Sequence, residues 1–289
     1  MEISAFLKTM NNPIQKSKRL FVRAAVPLAL LTLSAASALA QGDRITVPLS
    51  DPSRPAMVKA NLLNGGITVK GYDGKEVVVE AHVRGRDSSR TEGSLRRVPM
   101  IATGLSVEEE NNQVRIGVDA FQRTIDLEIS VPRKSSLHLR SVNSGNIVVS
   151  DVEGELDVNN INGKVTLTNV GGSAVVDALN GRILVTFNRV DPQKAMSFSS
   201  MNGDIDVTFP ADLKATVSFR TDNGEVLSDF DIQMQAAAPR QIVEGDSGKG
   251  KYKVKIDKTV TGTINGGGPT LQFKNFNGNI YLRKAGSAR

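Results

Sequence analysis

Glycine recurs every nine residues through the middle of this chain, at Gly145, Gly154, Gly163, Gly172 and Gly181. The interval also appears near the start with Gly65 and Gly74, and Gly203, Gly224 and Gly278 continue it at looser spacing. A fixed short period restricts the fold to architectures assembled from one repeated unit. Two residues after these glycines stand Ile67, Ile147, Leu156, Val165, Ala174, Ile183, Ile205, Val226 and Ile280. Four residues after them stand Val69, Val149, Val158, Leu167, Val176, Val185, Val207 and Leu282, with only Ser228 polar in that register. The residue between glycine and the first apolar position is never bulky and apolar. Such alternation is the pattern of a strand with one face buried. A further apolar residue stands two positions before the glycine in most copies (Leu63, Val152, Ile161, Val170, Leu179, Met201, Phe276), so each unit reads as a short strand plus a tight turn.

The turns are specified as well. Asn64-Gly65, Asn162-Gly163, Asn180-Gly181, Asn202-Gly203, Asn223-Gly224 and Asn277-Gly278 are dipeptides that tolerate positive φ. Together with Gly145, Gly154 and Gly172 they are the expected structural turns. Two architectures accept such units. In a parallel β-solenoid, two units make one coil of about 18–22 residues, and equivalent strands stack roughly 4.7–4.9 Å apart. In an antiparallel β-sandwich the same dipeptides would close hairpins. The 18-residue recurrence of Gly145, Gly163 and Gly181 with equivalent neighbours favours the solenoid.

Asn-Gly followed by Ile-x-Val, the strand ends Val131-Pro132 and Phe209-Pro210, and the closing Gly262-Thr263-Ile264-Asn265-Gly266-Gly267-Gly268 with Asn277-Gly278-Asn279-Ile280 carry a resemblance. Over roughly residues 55–284 the chain resembles the bacterial "putative adhesin" domain family of unknown function. The resemblance implies a single-stranded, right-handed parallel β-helix on the outer side of the cytoplasmic membrane. It brings no catalytic residues to transfer.

Residues 1–40 read as a secretory signal. Lys16, Lys18, Arg19 and Arg23 precede an apolar stretch from Ala24 to Leu33, and Ala38-Leu39-Ala40 offers a cleavage site before Gln41. The stretch is short for a membrane span, and no later segment approaches the required length. The chain is therefore expected to be exported: periplasmic, surface-bound or secreted. Setting the leader aside lowers the formal net charge from +6 to +2, so global basicity no longer points to nucleic acid. The absence of cysteine excludes disulfides, thiolate metal sites and thiol nucleophiles, and two histidines (His82, His138) leave little room for a multi-histidine centre. No cofactor is expected. The remaining layout is a lead-in at 41–54, the solenoid at 55–284 with insertions at 85–112 and 229–250, and a tail at 285–289. A short helical turn is expected around Gln233–Ala238.

The first insertion supplies the sharpest contact candidates, Arg84, Arg86, Arg90, Arg96 and Arg97, since guanidinium groups suit phosphates and carboxylates. The competing reading is a solvated loop balanced by Asp87, Glu92 and Glu108-Glu109-Glu110. Lys249, Lys251, Lys253 and Lys255 alternate along another strand, where lysines commonly blunt an exposed edge. Calcium is not expected, because no rung carries the Gly-Gly-x-Gly-x-Asp turn of calcium-binding nonapeptides. A polysaccharide-cleaving enzyme would need a carboxylate pair, for which Asp204 and Asp206 are the candidates. The pattern as a whole favours a non-enzymatic binding protein that contacts envelope glycans or proteins.

Overall fold

The computed structural model describes residues 43–84, 103–119, 123–235 and 259–287, and the backbone of 91–92, 95–96, 241–244 and 253–256. Within these residues every regular element is a strand. The expected leader at 1–40 lies outside the described residues.

The strands form two walls. One wall stacks, in spatial order, Gln113–Val118, Ala56–Asn64, Ser135–Asn143, Glu153–Asn160, the second half of Val165–Ala178, Met196–Asn202, Thr270–Asn277 and Ala215–Asn223, all parallel. The other stacks Thr124–Pro132, Ile67–Tyr72, Ile147–Ser150, the first half of Val165–Ala178, Ile183–Val190, Ile205–Phe209, Ile280–Lys284 and Val226–Ser228, again parallel. Parallel register rules out the hairpin-closed sandwich for the repeats. Antiparallel strands flank the stack. Leu105–Glu110 pairs with Gln113–Val118, Glu76–Arg84 and then Asp43–Pro48 follow Thr124–Pro132, and Val260–Ile264 and Gln233–Met234 follow Ala215–Asn223.

The alternation read in the sequence sets which side chains meet between the walls. Val58, Leu137, Leu156, Ala174, Met196, Leu271 and Val217 form one inward column, all buried. Ile67, Ile147, Val165, Ile183, Ile205 and Ile280 form the facing one. In-register stacking places identical side chains over one another. Phe198, Phe273 and Phe219 stack with centroids 5.2 and 5.3 Å apart, and Phe187 lies 5.0 Å from Phe209 on the opposite wall. Phe187 and Phe198 then meet edge to face across the core at 6.3 Å.

Chain order and spatial order part company at both ends. The coil containing Gln113–Val118 and Thr124–Pro132 stacks outside the earlier coil of Ala56–Asn64 and Ile67–Tyr72. The final coil, Thr270–Asn277 and Ile280–Lys284, inserts between Met196–Phe209 and Ala215–Ser228. The expected insertions are thus the places where the chain leaves the stack and re-enters it out of order, because every coil edge offers the same parallel hydrogen-bonding pattern. Within the first insertion, Leu105–Glu110 is a strand. Of the helical turn expected around Gln233–Ala238, Gln233–Met234 is instead extended and pairs with Thr263 and Gly262, while residues 236–238 lie outside the described residues.

Candidate interaction surface

The Asn-Gly corners stack into four neighbouring columns, each with its own chemistry. The innermost is Leu62, Ser141, Asn160, Ala178, Ser200, Asn275 and Thr221. Its polar members satisfy glycine carbonyls at the bend: Ser141 Oγ donates to Gly65 O at 2.8 Å, Asn160 Nδ2 to Gly145 O at 3.1 Å and Asn275 Nδ2 to Gly203 O at 3.0 Å. A corner removes backbone groups from the sheet ladder, and a buried carbonyl left unpaired is costly.

The asparagine column bonds to itself. Asn162 Nδ2 donates to Asn143 Oδ1 at 3.1 Å, Asn180 to Asn162 at 3.0 Å, and Asn202 to Asn180 at 2.8 Å. Asn277 donates to Asn202 and Asn223 to Asn277, both at 2.9 Å. Asn64 heads the column in register with Asn143. A primary amide has both a donor and an acceptor, so one residue type can pair upward and downward in the same ladder.

The glycine column requires glycine mainly through contact. A methyl group on Gly163 would lie 2.0 Å from Gly145 O, and one on Gly181 2.0 Å from Gly163 O. On Gly145 it would lie 2.0 Å from Gly65 O, and on Gly224 2.0 Å from Gly278 O. Positive φ holds at Gly65, Gly203 and Gly278 but not at Gly145, Gly163, Gly181 or Gly224. The expectation that these turns need glycine for its φ is therefore corrected at the latter four. Gly154 and Gly172 lie inside strands Glu153–Asn160 and Val165–Ala178 at the opposite corner, and of the two Gly172 has a positive φ, +101°.

The fourth column faces solvent. Leu63, Val142, Ile161, Leu179, Met201 and Phe276 occupy successive rungs, immediately before the asparagines. Leu63, Leu179, Met201 and Phe276 are 44–46% exposed. At roughly 4.8 Å per rung the stripe runs about 24 Å along the stack. Val152 and Val170, which also stand two places before a glycine, are instead buried. The distinguishing signal was the residue before the glycine. Where it is asparagine the preceding apolar residue points outward; at Val152 and Val170 the bend is of the other kind. Beside the stripe runs a second outward row, Asn159, Asp177, Ser199 and Lys274. Between the two rows lies an open groove of about 500 Å³. One wall of it is apolar and the other offers amide, carboxylate, hydroxyl and ammonium groups.

The arginine candidates separate. Arg84 is tied within the chain: Nε donates to Asp126 Oδ2 at 2.7 Å, Nη1 to Ser144 O at 2.6 Å, and Nη2 also to Asp126. Asp126 in turn accepts from the Gly66 N–H at 2.8 Å, so this cluster braces the first Asn-Gly corner. Arg96 lies in the two-residue strand Leu95–Arg96 opposite Thr91–Glu92, of which only the backbone is described. Arg86, Arg90 and Arg97 fall outside the described residues. So do Lys249 and Lys251, while Lys253 and Lys255 lie on a strand paired with Gln241–Glu244.

The carboxylate candidates are engaged structurally. Asp206, 6% exposed at its side chain, accepts from Arg182 Nη2 at 2.7 Å and from Arg283 Nε at 2.7 Å. This raises the Arg283 pKa, chiefly through that hydrogen bond. Asp204 Oδ1 caps the Asn279 N–H at 2.9 Å. His138 Nδ1 pairs with Asp157 Oδ2 on the next rung at 2.7 Å.

Fold and surface together define an all-β repeat protein of stacked coils with one ordered corner facing solvent. Residues 126–265 match the family described as Toastrack DUF4097. No curated protein matches the sequence. Among solved structures the chain is similar to a "putative cell adhesion protein" from Clostridium sporogenes, at 12% identity and TM-score 0.39, covering 84% of this chain and 99% of that one. It is also similar to a "putative adhesin" from Bacteroides fragilis, at 12% identity and TM-score 0.33, covering 84% and 96%.

Proposed function

We propose that this chain is an exported, non-enzymatic, adhesin-like protein that contacts envelope polymers or proteins along its Asn-Gly corner. The observation that carries the reading is the apolar stripe from Leu63 to Phe276 with the polar row of the groove beside it. A folded chain with a well-filled core gains nothing for its own stability from leucine, methionine and phenylalanine aligned at the surface, and such aligned patches mark interaction sites. Rigid backing by the asparagine and glycine columns keeps the row in register, so an extended partner meets the same chemistry at each rung. In this reading the coil is right-handed, the sense taken by nearly all parallel crossovers, and the leader at 1–40 is removed after Ala40. Arg86, Arg90, Arg96 and Arg97 form a second, electrostatic contact with anionic partners.

The test is retention of the purified protein on native bacterial envelope fractions. Leu179→Ser, Met201→Ser and Phe276→Ser combined should abolish retention while leaving the chain folded with a cooperative unfolding transition, since all three side chains are 44–46% exposed and serine adds no like-charge repulsion. Undiminished retention in the folded triple variant sinks the reading. Serine at Arg86, Arg90, Arg96 and Arg97 should weaken retention and remove its salt dependence. Intact mass of the protein recovered from outside the cytoplasm checks the cleavage after Ala40.

A further inference from the structure

Three metal-ligating side chains converge on the outer face of the second wall, beside the strand Asp43–Pro48. Glu80 and His82 alternate on the strand Glu76–Arg84 and so project to the same side. Glu128 stands directly opposite Glu80 on the antiparallel neighbour Thr124–Pro132. One ligand atom of each residue lies within 4.8 Å of the other two, and His82 Nε2 is 3.9 Å from Glu80 Oε2.

The electrostatics of this trio are unbalanced. Carboxylates facing each other across an antiparallel pair repel. Arg44 Nη1 answers Glu80 at 3.2 Å, but no ion pair to Glu128 occurs among the described residues. The acid paired in register with His82, Asp126, is already held by Arg84 and the Gly66 N–H. One imidazole and two carboxylates, only one of which meets an arginine, stand half-buried to exposed on the two paired strands.

We propose that Glu80, His82 and Glu128 bind one divalent transition-metal ion, with zinc fitting the donors best. An imidazole nitrogen disfavours calcium and magnesium, which take all-oxygen shells, and two carboxylates disfavour the soft monovalent metals. Zinc takes nitrogen and oxygen ligands at about 2.0–2.2 Å, which brings neighbouring donors to roughly 3.4 Å. The trio reaches that spacing by closing at most about 1.4 Å, within the reach of two long glutamate side chains with solvent access. Three protein ligands leave a fourth position for water or for a donor from a partner. Bound zinc neutralises the facing glutamates and ties Glu76–Arg84 to Thr124–Pro132, the antiparallel strands at this end of the stack. This site is separate from the Asn-Gly corner stripe and does not depend on the function proposed for it.

Calorimetric titration of the metal-stripped full chain with zinc sulfate tests the proposal. One ion should bind per chain, and zinc should raise the thermal unfolding midpoint. His82→Ala and Glu128→Gln should each weaken binding at least tenfold, whereas His138→Ala, at the other histidine, should bind as the parent does. Glu128→Gln is nearly isosteric and exposed, so it keeps the test valid even if His82→Ala fails to fold. Absence of stoichiometric binding, parental affinity in Glu128→Gln, or loss of binding in His138→Ala in place of His82→Ala each overturns the assignment.

Discussion

Alanine at Gly163 separates two explanations of why the Asn-Gly corners need glycine. The backbone there is not left-handed, so a conformational argument predicts little penalty. The contact argument predicts a large one. The new methyl carbon would lie 2.0 Å from Gly145 O and 2.8 Å from Asn160 Nδ2, where ordinary contact begins at 3.4 Å. Clearing the carbonyl therefore requires the two coils to part by about 1.4 Å at this point. That movement takes the Ile147 N–H bond to Lys164 O, now 3.0 Å, beyond hydrogen-bonding range, and disrupts the amide of Asn160. Two or three bonds at about 1 kcal/mol each give a loss of roughly 3 kcal/mol, at the upper end of ordinary overpacking. Gly266 is the control. Its φ of +85° is left-handed, and nothing lies within 4 Å of the added methyl, so alanine there should cost only about 1 kcal/mol of conformational energy. Urea unfolding at unchanged m-value reads both. A Gly163→Ala loss no larger than that of Gly266→Ala would refute the contact explanation.

Phe273→Ala should cost about 3–5 kcal/mol by chemical denaturation, because Phe273 is fully buried and stacked between Phe198 and Phe219. Phe273→Leu should cost clearly less, since it leaves a smaller void. Asp206→Ala should lose about 2 kcal/mol in the same assay, below the usual range for a broken buried pair, because Arg182 and Arg283 are 46% and 39% exposed and regain water. Acid should act through Asp43, Asp73 and Glu109. Their pKa values are lowered, chiefly by hydrogen bonds from the Thr103 hydroxyl, the Arg133 guanidinium and the Ser50 N–H respectively. Folded values below unfolded ones mean their contribution is complete above the usual carboxylate range and is lost as pH falls through the depressed folded values. Midpoints measured from neutral pH downward should therefore hold level and then fall, and Asp43→Asn with Glu109→Gln should flatten that fall.

Much of the wall construction was legible because it is local. A residue two or four places after the corner glycine points inward whatever lies above it, so alternation alone located Ile147, Val165, Ile183 and Ile205 in the core. The asparagines were legible as turn residues, but their mutual hydrogen bonds were not, since a ladder exists only once coils are in register. The outward face of the stripe was not legible for a related reason. Leu179 and Val170 share a sequence context two places before a glycine, yet one is 44% exposed and the other buried, because they sit at corners of different kinds. Arg84 read as a free contact residue because its partners, Asp126 and Ser144, lie 42 and 60 positions away.

The sequence by itself determined the period, the parallel stacked-coil class and the inward faces, all of which follow from backbone alternation and from the chemistry of asparagine and glycine at bends. Tertiary structure decided the order of the coils, because any parallel edge accepts any coil and only the assembled stack shows which one it took. It also decided that the corner glycines answer mainly to a neighbouring carbonyl, that six apolar side chains form one surface stripe, and that Glu80, His82 and Glu128 meet. Each of these depends on distances between residues remote in the chain, which a period cannot encode.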